Sequence, residues 1–166
     1  ATYFPGGVFR STDRGHTWMK TGADAVKARV TAMVAAKEML FVCTQVDGVF
    51  RSSDAGKTWE QANNGLPVPT GMYGNYVGVM AFDGSRLFAG TNLGLSYYSD
   101  DLGDSWQASR TPPRYSMMTV VTDSSDVYFG ATDGIYVSRN GGLDFQHIPK
   151  SPVNARVILP VDGYLY

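Results

Sequence analysis

The chain has 166 residues, with 14 Lys and Arg against 15 Asp and Glu for a formal net charge of −1, and a single cysteine. That length supports one domain with a sizeable core, and the even charge balance, with no basic stripe, excludes an electrostatic nucleic-acid binder. Apolar runs are far shorter than a membrane span requires, and Cys43 alone makes neither an intrachain disulfide nor a thiolate metal cluster.

Glycine is abundant at 19, and 10 Tyr, 8 Phe and 3 Trp favour strands joined by tight turns. The sequence opens "ATYFPGGVFRS" without a signal-peptide pattern or initiator methionine, which reads as a mature or trimmed piece of something longer. A strand "GVFRS" comes first and runs into "RSTDRGHTW", residues 10 to 18. Residues 23 to 40, "ADAVKARVTAMVAAKEML", have helical composition by propensity. Their counterparts further on, "YVGVMAF" and "MMTVVT", are β-branched and aromatic, so this stretch is predicted as a strand pair. "MLFVCT" and a second "GVFRS" follow, then "RSSDAGKTW" at 51 to 59 and a short strand "TWEQA". The pattern returns as "YVGVMAF", "RLFAGT" and "LSYYS", and again as "MMTVVT", "VYFGA" and "IYVS". It ends on "RVILPV" and "YLY".

The nine-letter stretch has two weaker relatives, one from Ser99 to Trp106 and one from Ser138 to Phe145. The aromatic positions Trp18, Trp59, Trp106 and Phe145 are spaced 41, 47 and 39 residues apart, which calls for a repeat architecture. Four short strands per period, with turns every eight to twelve residues, make one propeller blade. The predicted fold class is therefore an all-β propeller of four-stranded antiparallel blades. Its repeat units run over about 27–73, 74–113 and 114–152, with a fourth made of 1–26 plus 153–166. "VDGYLY" and "ATYFPGGVFRS" joined head to tail spell that fourth unit, so Leu165 and Tyr166 are expected to approach Ala1 and Thr2. The pairing would lie within one molecule or between two copies; otherwise the chain continues into a longer ring.

Ser-x-Asp-x-Gly-x-Thr-Trp resembles the Asp-box, or BNR repeat, of sialidases, sortilin-type receptor domains, xyloglucan-cleaving glycosidases and a photosystem II assembly factor. On this sequence the resemblance covers Ser11, Asp13, Gly15 and Trp18; Ser52, Asp54, Gly56 and Trp59; Ser99, Asp101, Gly103 and Trp106; and Ser138, Asn140, Gly142 and Phe145. It implies a propeller with the box between third and fourth strands, away from the substrate-binding face. The residue types suit a turn: a short Asp accepts nearby N–H bonds, glycine permits positive φ, and the tryptophan folds back as an apolar plug. The motif serves enzymes and non-enzymes alike, so it assigns no chemistry.

Catalytic readings find little support in the residues. Asp100, Asp101 and Asp104 sit close together like an oxygen-rich cation loop, but they lack its ligand ladder and fall where an Asp-box is expected. His16 occupies a variable box position, His147 has no nucleophile beside it, and Cys43 reads as an inert core thiol. Glycoside hydrolysis needs two placed carboxylates, yet Asp13, Asp47, Asp54, Asp83, Asp123, Asp126, Asp133 and Asp162 all fall in turns or boxes. The Phe/Tyr-Arg-Ile-Pro signature of sialidases is absent; the Phe-Arg pairs here read "FRST" and "FRSS".

One constellation is left. In propellers, ligands sit where a fourth strand crosses to the next blade's first strand. Here those crossings place Arg29, Tyr73, Asn75, Tyr76, Arg114, Tyr115, Asn154 and Arg156 round one mouth. Tyr and Arg are common binding anchors, although the plainer reading of the same residues is a solvated rim with framework arginines. The expected function is a non-catalytic binding or scaffold module, extracytoplasmic, with a protein or glycan ligand, no cofactor and no metal. The alternatives are a segment of a glycoside hydrolase with catalytic residues partly outside this chain, or a structural unit joined through its ends.

Overall fold

The computed structural model describes residues 6–21, 25–67 and 76–166. Strands β1 (Val8–Arg10) and β2 (Met19–Thr21) pair as a two-stranded sheet. Three four-stranded antiparallel meanders follow. The first holds β3 (Val30–Ala36), β4 (Met39–Thr44), β5 (Gly48–Ser52) and β6 (Glu60–Gln61). The second holds β7 (Val77–Phe82), β8 (Leu87–Thr91), β9 (Ser96–Ser99) and β10 (Gln107–Ala108). The third holds β11 (Met117–Asp123), β12 (Asp126–Ala131), β13 (Gly134–Ser138) and β14 (Gln146–His147). A hairpin of β15 (Pro160–Val161) and β16 (Tyr164–Leu165) ends the chain. The first strands β3, β7 and β11 are neighbours, which is the blade-on-blade arrangement of a β-propeller.

The helix-like stretch forms β3 and β4, turning at Lys37 with φ +54°. Tertiary burial overrides its propensity: β4 lies inside its sheet and is covered on both faces. Phe41 and Cys43 face the second blade with Trp106, Leu87 and Val77, whereas Val42 faces β1 with Val8, Phe50 and Trp59. A strand covered on both faces reads as a continuous apolar run and not as an alternation. The next interface repeats the design, with Phe88 and Tyr98 meeting Phe129 and Phe145, the last two rings edge to face at 5.0 Å.

Each Asp-box is a self-contained knot. Ser52 Oγ donates to Asp54 Oδ1 at 2.8 Å and accepts from Gly56 N at 2.8 Å, while Lys57 N and Thr58 N donate to Asp54 Oδ1, each at 2.9 Å. Thr58 Oγ1 closes the ring on Asp54 Oδ2 at 2.6 Å. The same bonds recur from Ser11, Gly15 and Thr17 around Asp13 and from Ser99, Gly103 and Ser105 around Asp101. Two consecutive residues take positive φ, Ala55 at +59° and Gly56 at +83°. These hydrogen bonds hold the carboxylates ionised. Asp13 falls to about 2 through the Thr17 hydroxyl and N–H and the Ser11 hydroxyl, and Asp54 falls further below the carboxylate range through Thr58 and Ser52. At Asp101 burial pulls the other way, and the bonds from Ser105 and Ser99 outweigh it.

The aromatic that ends each box is a plug between blades. Trp106 is 4% exposed and donates Nε1–H to Ala62 O of the preceding blade at 2.9 Å. Trp59 and Phe145 are equally buried. Trp18 departs from the expected plug: it folds over its own turn, donating to Gly15 O at 3.1 Å, but remains 62% exposed. Its counterparts bury against the sheet before them, and Trp18 has no such sheet among the described residues. Backbones close in at the same seams, where a Cβ on Gly65 would lie 2.2 Å from Trp106 O.

The two end sheets are separate, each two-stranded, and the expected approach to Ala1 and Thr2 lies outside the described residues. "RVILPV" is strand only at Pro160–Val161, although Leu159 and Tyr166 exchange backbone hydrogen bonds at 2.9 and 3.0 Å. Tyr166 stands opposite Leu159 and extends this hairpin by one residue pair.

Candidate functional site

The crossing side of the blades is built by one recurring device. Arg29, Tyr76 and Ser116 each precede a first strand, and their carbonyls accept from Gln45 N, Asn92 N and Thr132 N at 3.0, 3.1 and 3.2 Å. Immediately afterwards every first strand carries a bulge. Pairing skips from Val30 to Ala32, from Val77 to Val79 and from Met117 to Thr119, leaving Thr31, Gly78 and Met118 outside the ladder. A bulge bends its strand and re-aims a side chain, which is why bulges collect at barrel rims and active sites. Here the three bulged residues line one cavity of about 240 Å³, together with Arg29, Gln45, Tyr76, Asn92 and Ser116.

The lining is polar and donor-rich. Thr31 Oγ1 donates to Val77 O at 2.9 Å, tying the first blade to the second at the cavity floor, and Tyr76 N donates to Asn92 Oδ1 at 2.8 Å. Met117 and Val79 supply the apolar backing. None of the described lining residues is acidic.

Of the mouth residues expected from sequence, the structure brings Arg29 and Tyr76 into this cavity. Tyr73 and Asn75 lie outside the described residues. Arg114 and Tyr115 are exposed on the next crossing, whose backbone packs against Gly94 in the β8–β9 turn. Asn154 and Arg156 are exposed on the crossing after β14. These four do not line the cavity. Sequence reasoning missed Thr31, Gln45, Asn92 and Ser116; their matching places in the repeat are the only signal that could have found them.

Four arginines on the Asp-box side form ion pairs, whereas Arg10 and Arg14 on that side form none among the described residues. On the Asp-box side, Arg51 bridges Glu60 at 2.8 Å and Asp104 at 2.5 Å, and its Nη1 donates to Leu102 O. Arg86 holds Asp100 at 2.6 Å, stacks 4.4 Å over Tyr98 and reaches Gly141 O. Arg110 pairs with Asp144 and Arg139 with Asp126. Leu102 and Gly141 are equivalent box positions, so guanidinium groups from different strands converge on the same carbonyl of the next blade. The three acids read as a cation loop are thereby separated: Asp100 serves Arg86, Asp104 serves Arg51 and Asp101 serves its box. On the crossing side, Arg29, Arg114 and Arg156 have no ion-pair partner among the described residues.

Burial pushes the Cys43 thiol far up from its ordinary value. His147 Nε2 lies 3.4 Å from Asp133 O, with its ring edge-on to Tyr136. Tyr136 donates to Asp133 Oδ2 at 2.6 Å, and burial together with that carboxylate holds its proton firmly.

The BNR-Asp box repeat family matches residues 49–62, and the BNR/Asp-box repeat family matches residues 97–108. A xyloglucanase from Paenibacillus sp is 34% identical over 96 residues, covering 57% of this chain and 9% of that protein. An ancestral GH74 enzyme superposes with a TM-score of 0.69 at 22% identity, covering 92% of this chain and 22% of that one. The extracellular domain of a B. thetaiotaomicron protein described as a hybrid two component system superposes with a TM-score of 0.71 at 16% identity, covering 94% of this chain and 22% of that one. The chain thus spans less than a quarter of each of these three proteins. Among the described residues, no helix is long and apolar enough to cross a membrane.

Proposed function

We propose that this chain of Asp-box β-propeller blades is a glycan-binding unit that acts outside the cytoplasm and presents its crossing side to an extended saccharide. The observation that carries the reading is the cavity made by three matching bulges. Each blade spends ladder bonds at the same place, and the opened strands surround Arg29, Tyr76 and Asn92. An aromatic face beside amide and hydroxyl donors is suited to sugar rings and their hydroxyls. Likeness to a xyloglucanase and to a GH74 enzyme supports a saccharide as the ligand class, and likeness to an extracellular domain supports the location.

The binding reading is preferred to hydrolysis because the described cavity lining offers no carboxylate, and the glycosidic mechanism needs two. A glycosidase segment whose acids are supplied from elsewhere is the second reading, favoured by the xyloglucanase similarity. Titrating the chain with oligosaccharides by calorimetry, with parallel assay of reducing ends, tests both. Binding without turnover, weakened by Tyr76→Ala, is the expected result. Turnover abolished by one Asp, Glu or Tyr substitution establishes the glycosidase reading instead, and retention of a folded protein partner but no sugar removes the glycan.

A further inference from the structure

Resting on that reading, we propose that the saccharide is acidic, with a uronate carboxylate held by Arg29 in the bulged cavity. Arg51, Arg86, Arg110 and Arg139 each have a carboxylate partner. Arg10, Arg14, Arg29, Arg114 and Arg156 have none among the described residues, and of these only Arg29 lines the cavity. A guanidinium keeps its charge at any relevant pH, and its planar fork matches a carboxylate through two parallel hydrogen bonds.

The surroundings of Arg29 favour an anion over a cation or a neutral group. Thr31, Tyr76 and Ser116 bring hydroxyl groups, and no acidic side chain lines the described cavity to repel a carboxylate. At about 240 Å³ the cavity is smaller than the roughly 300–1,000 Å³ typical of sites that engulf a drug-sized ligand. It therefore takes one unit of a longer chain. An uncharged glucan leaves the Arg29 guanidinium unmatched; a uronate carboxylate engages it.

The test compares oligogalacturonate with a cello-oligosaccharide of equal length, by calorimetry, on the intact chain and on Arg29→Gln, Arg29→Lys and Arg139→Gln. The acidic ligand is expected to bind preferentially and to weaken as salt rises from about 0.05 to 0.5 M. Arg29→Gln is expected to cost about tenfold or more in affinity, Arg29→Lys to recover only part of it, and Arg139→Gln to change nothing. Equal, salt-independent binding of the neutral ligand overturns the acidic assignment and leaves the glycan reading standing. Acidic binding that ignores Arg29→Gln overturns the site. Binding of neither ligand overturns both readings, provided circular dichroism shows the variants folded like the parent.

Discussion

Asn140 donates through Nδ2 to Asp144 Oδ2 at 3.0 Å, reversing the polarity of the bond that Thr58 makes to Asp54 at the equivalent place. Asn140 Oδ1 still accepts from Ser138 Oγ at 2.9 Å and from Asp144 N at 3.0 Å. The third blade thus keeps the geometry of the Asp-box while exchanging which residue carries the charge. Asp144 spends that charge on Arg110 of the preceding blade, at 2.6 Å, so the exchange turns a bond internal to the turn into a link between blades.

Asn140→Asp alone is therefore expected to destabilise the chain by about 1–2 kcal/mol, because two carboxylates then share a place built for one hydrogen bond. Asp144→Thr alone also destabilises. The double variant restores the arrangement of the other boxes and regains most of the loss, a non-additivity of at least about 1 kcal/mol. Urea denaturation of the four proteins measures the cycle; strict additivity would show that the reversed bond is not what couples the two positions.

In the second, third and fourth boxes the buried residue is the serine, not the aspartate or its amide counterpart; Ser11 of the first box is half-buried. Ser52, Ser99 and Ser138 are essentially inaccessible, and each both donates to the box acid or amide and accepts a glycine N–H. Ser52→Ala strands the Gly56 N–H without a partner, which is expected to cost about 1–3 kcal/mol in urea denaturation. Binding at the cavity on the opposite side is expected to be unchanged; its loss in a protein of unaltered stability would assign the box to the ligand site.

Much of this was readable from residue types at repeat spacing. Asp101, not Asp100, is the box acid because Ser99 and Gly103 fix the register, and residues 23 to 40 are strands because their counterparts are. Whatever depends on a neighbouring blade was not readable. The exposure of Trp18 is set by the sheet that its counterparts lean on, not by its own turn. Arg51 and Arg86 reach equivalent carbonyls from unrelated strand positions, so no alignment of repeats pairs them. The bulges at Thr31, Gly78 and Met118 leave no mark in composition, since a serviceable strand sequence is compatible with either pairing. Of the cavity lining, only Arg29 and Tyr76 were named from sequence.

That dependence on the neighbouring blade makes equivalent tryptophans unequal. Trp106→Ala removes a 4% exposed side chain wedged among Phe41, Ala62 and Leu87, with an expected cost of about 3–5 kcal/mol. Trp18→Ala removes a 62% exposed one, with an expected cost under about 1 kcal/mol. Thermal or urea unfolding distinguishes the two directly. Similar losses at both positions would mean that Trp18 is covered in solution, and native-gel or sedimentation analysis would then identify the covering copy.

Acid should weaken the boxes in a defined window. Asp13 titrates at about 2 in the folded chain, well below the ordinary range of a free aspartate, and Asp54 lies lower still. A carboxylate whose folded value is depressed contributes its full stabilisation above the unfolded value and loses it as pH falls through the folded one. The contribution of Asp13 is accordingly complete above about pH 4 and disappears toward pH 2, and that of Asp54 persists to more acidic conditions. Asp54→Asn retains an Oδ1 acceptor, as Asn140 does naturally, but has no proton to take up in this range. The gap in urea midpoint between the parent and Asp54→Asn is therefore expected to be constant from pH 7 to about 5 and to narrow as pH drops below about 4. A gap that stays the same down to pH 2 would show that the carboxylate contributes through its shape and not through its charge.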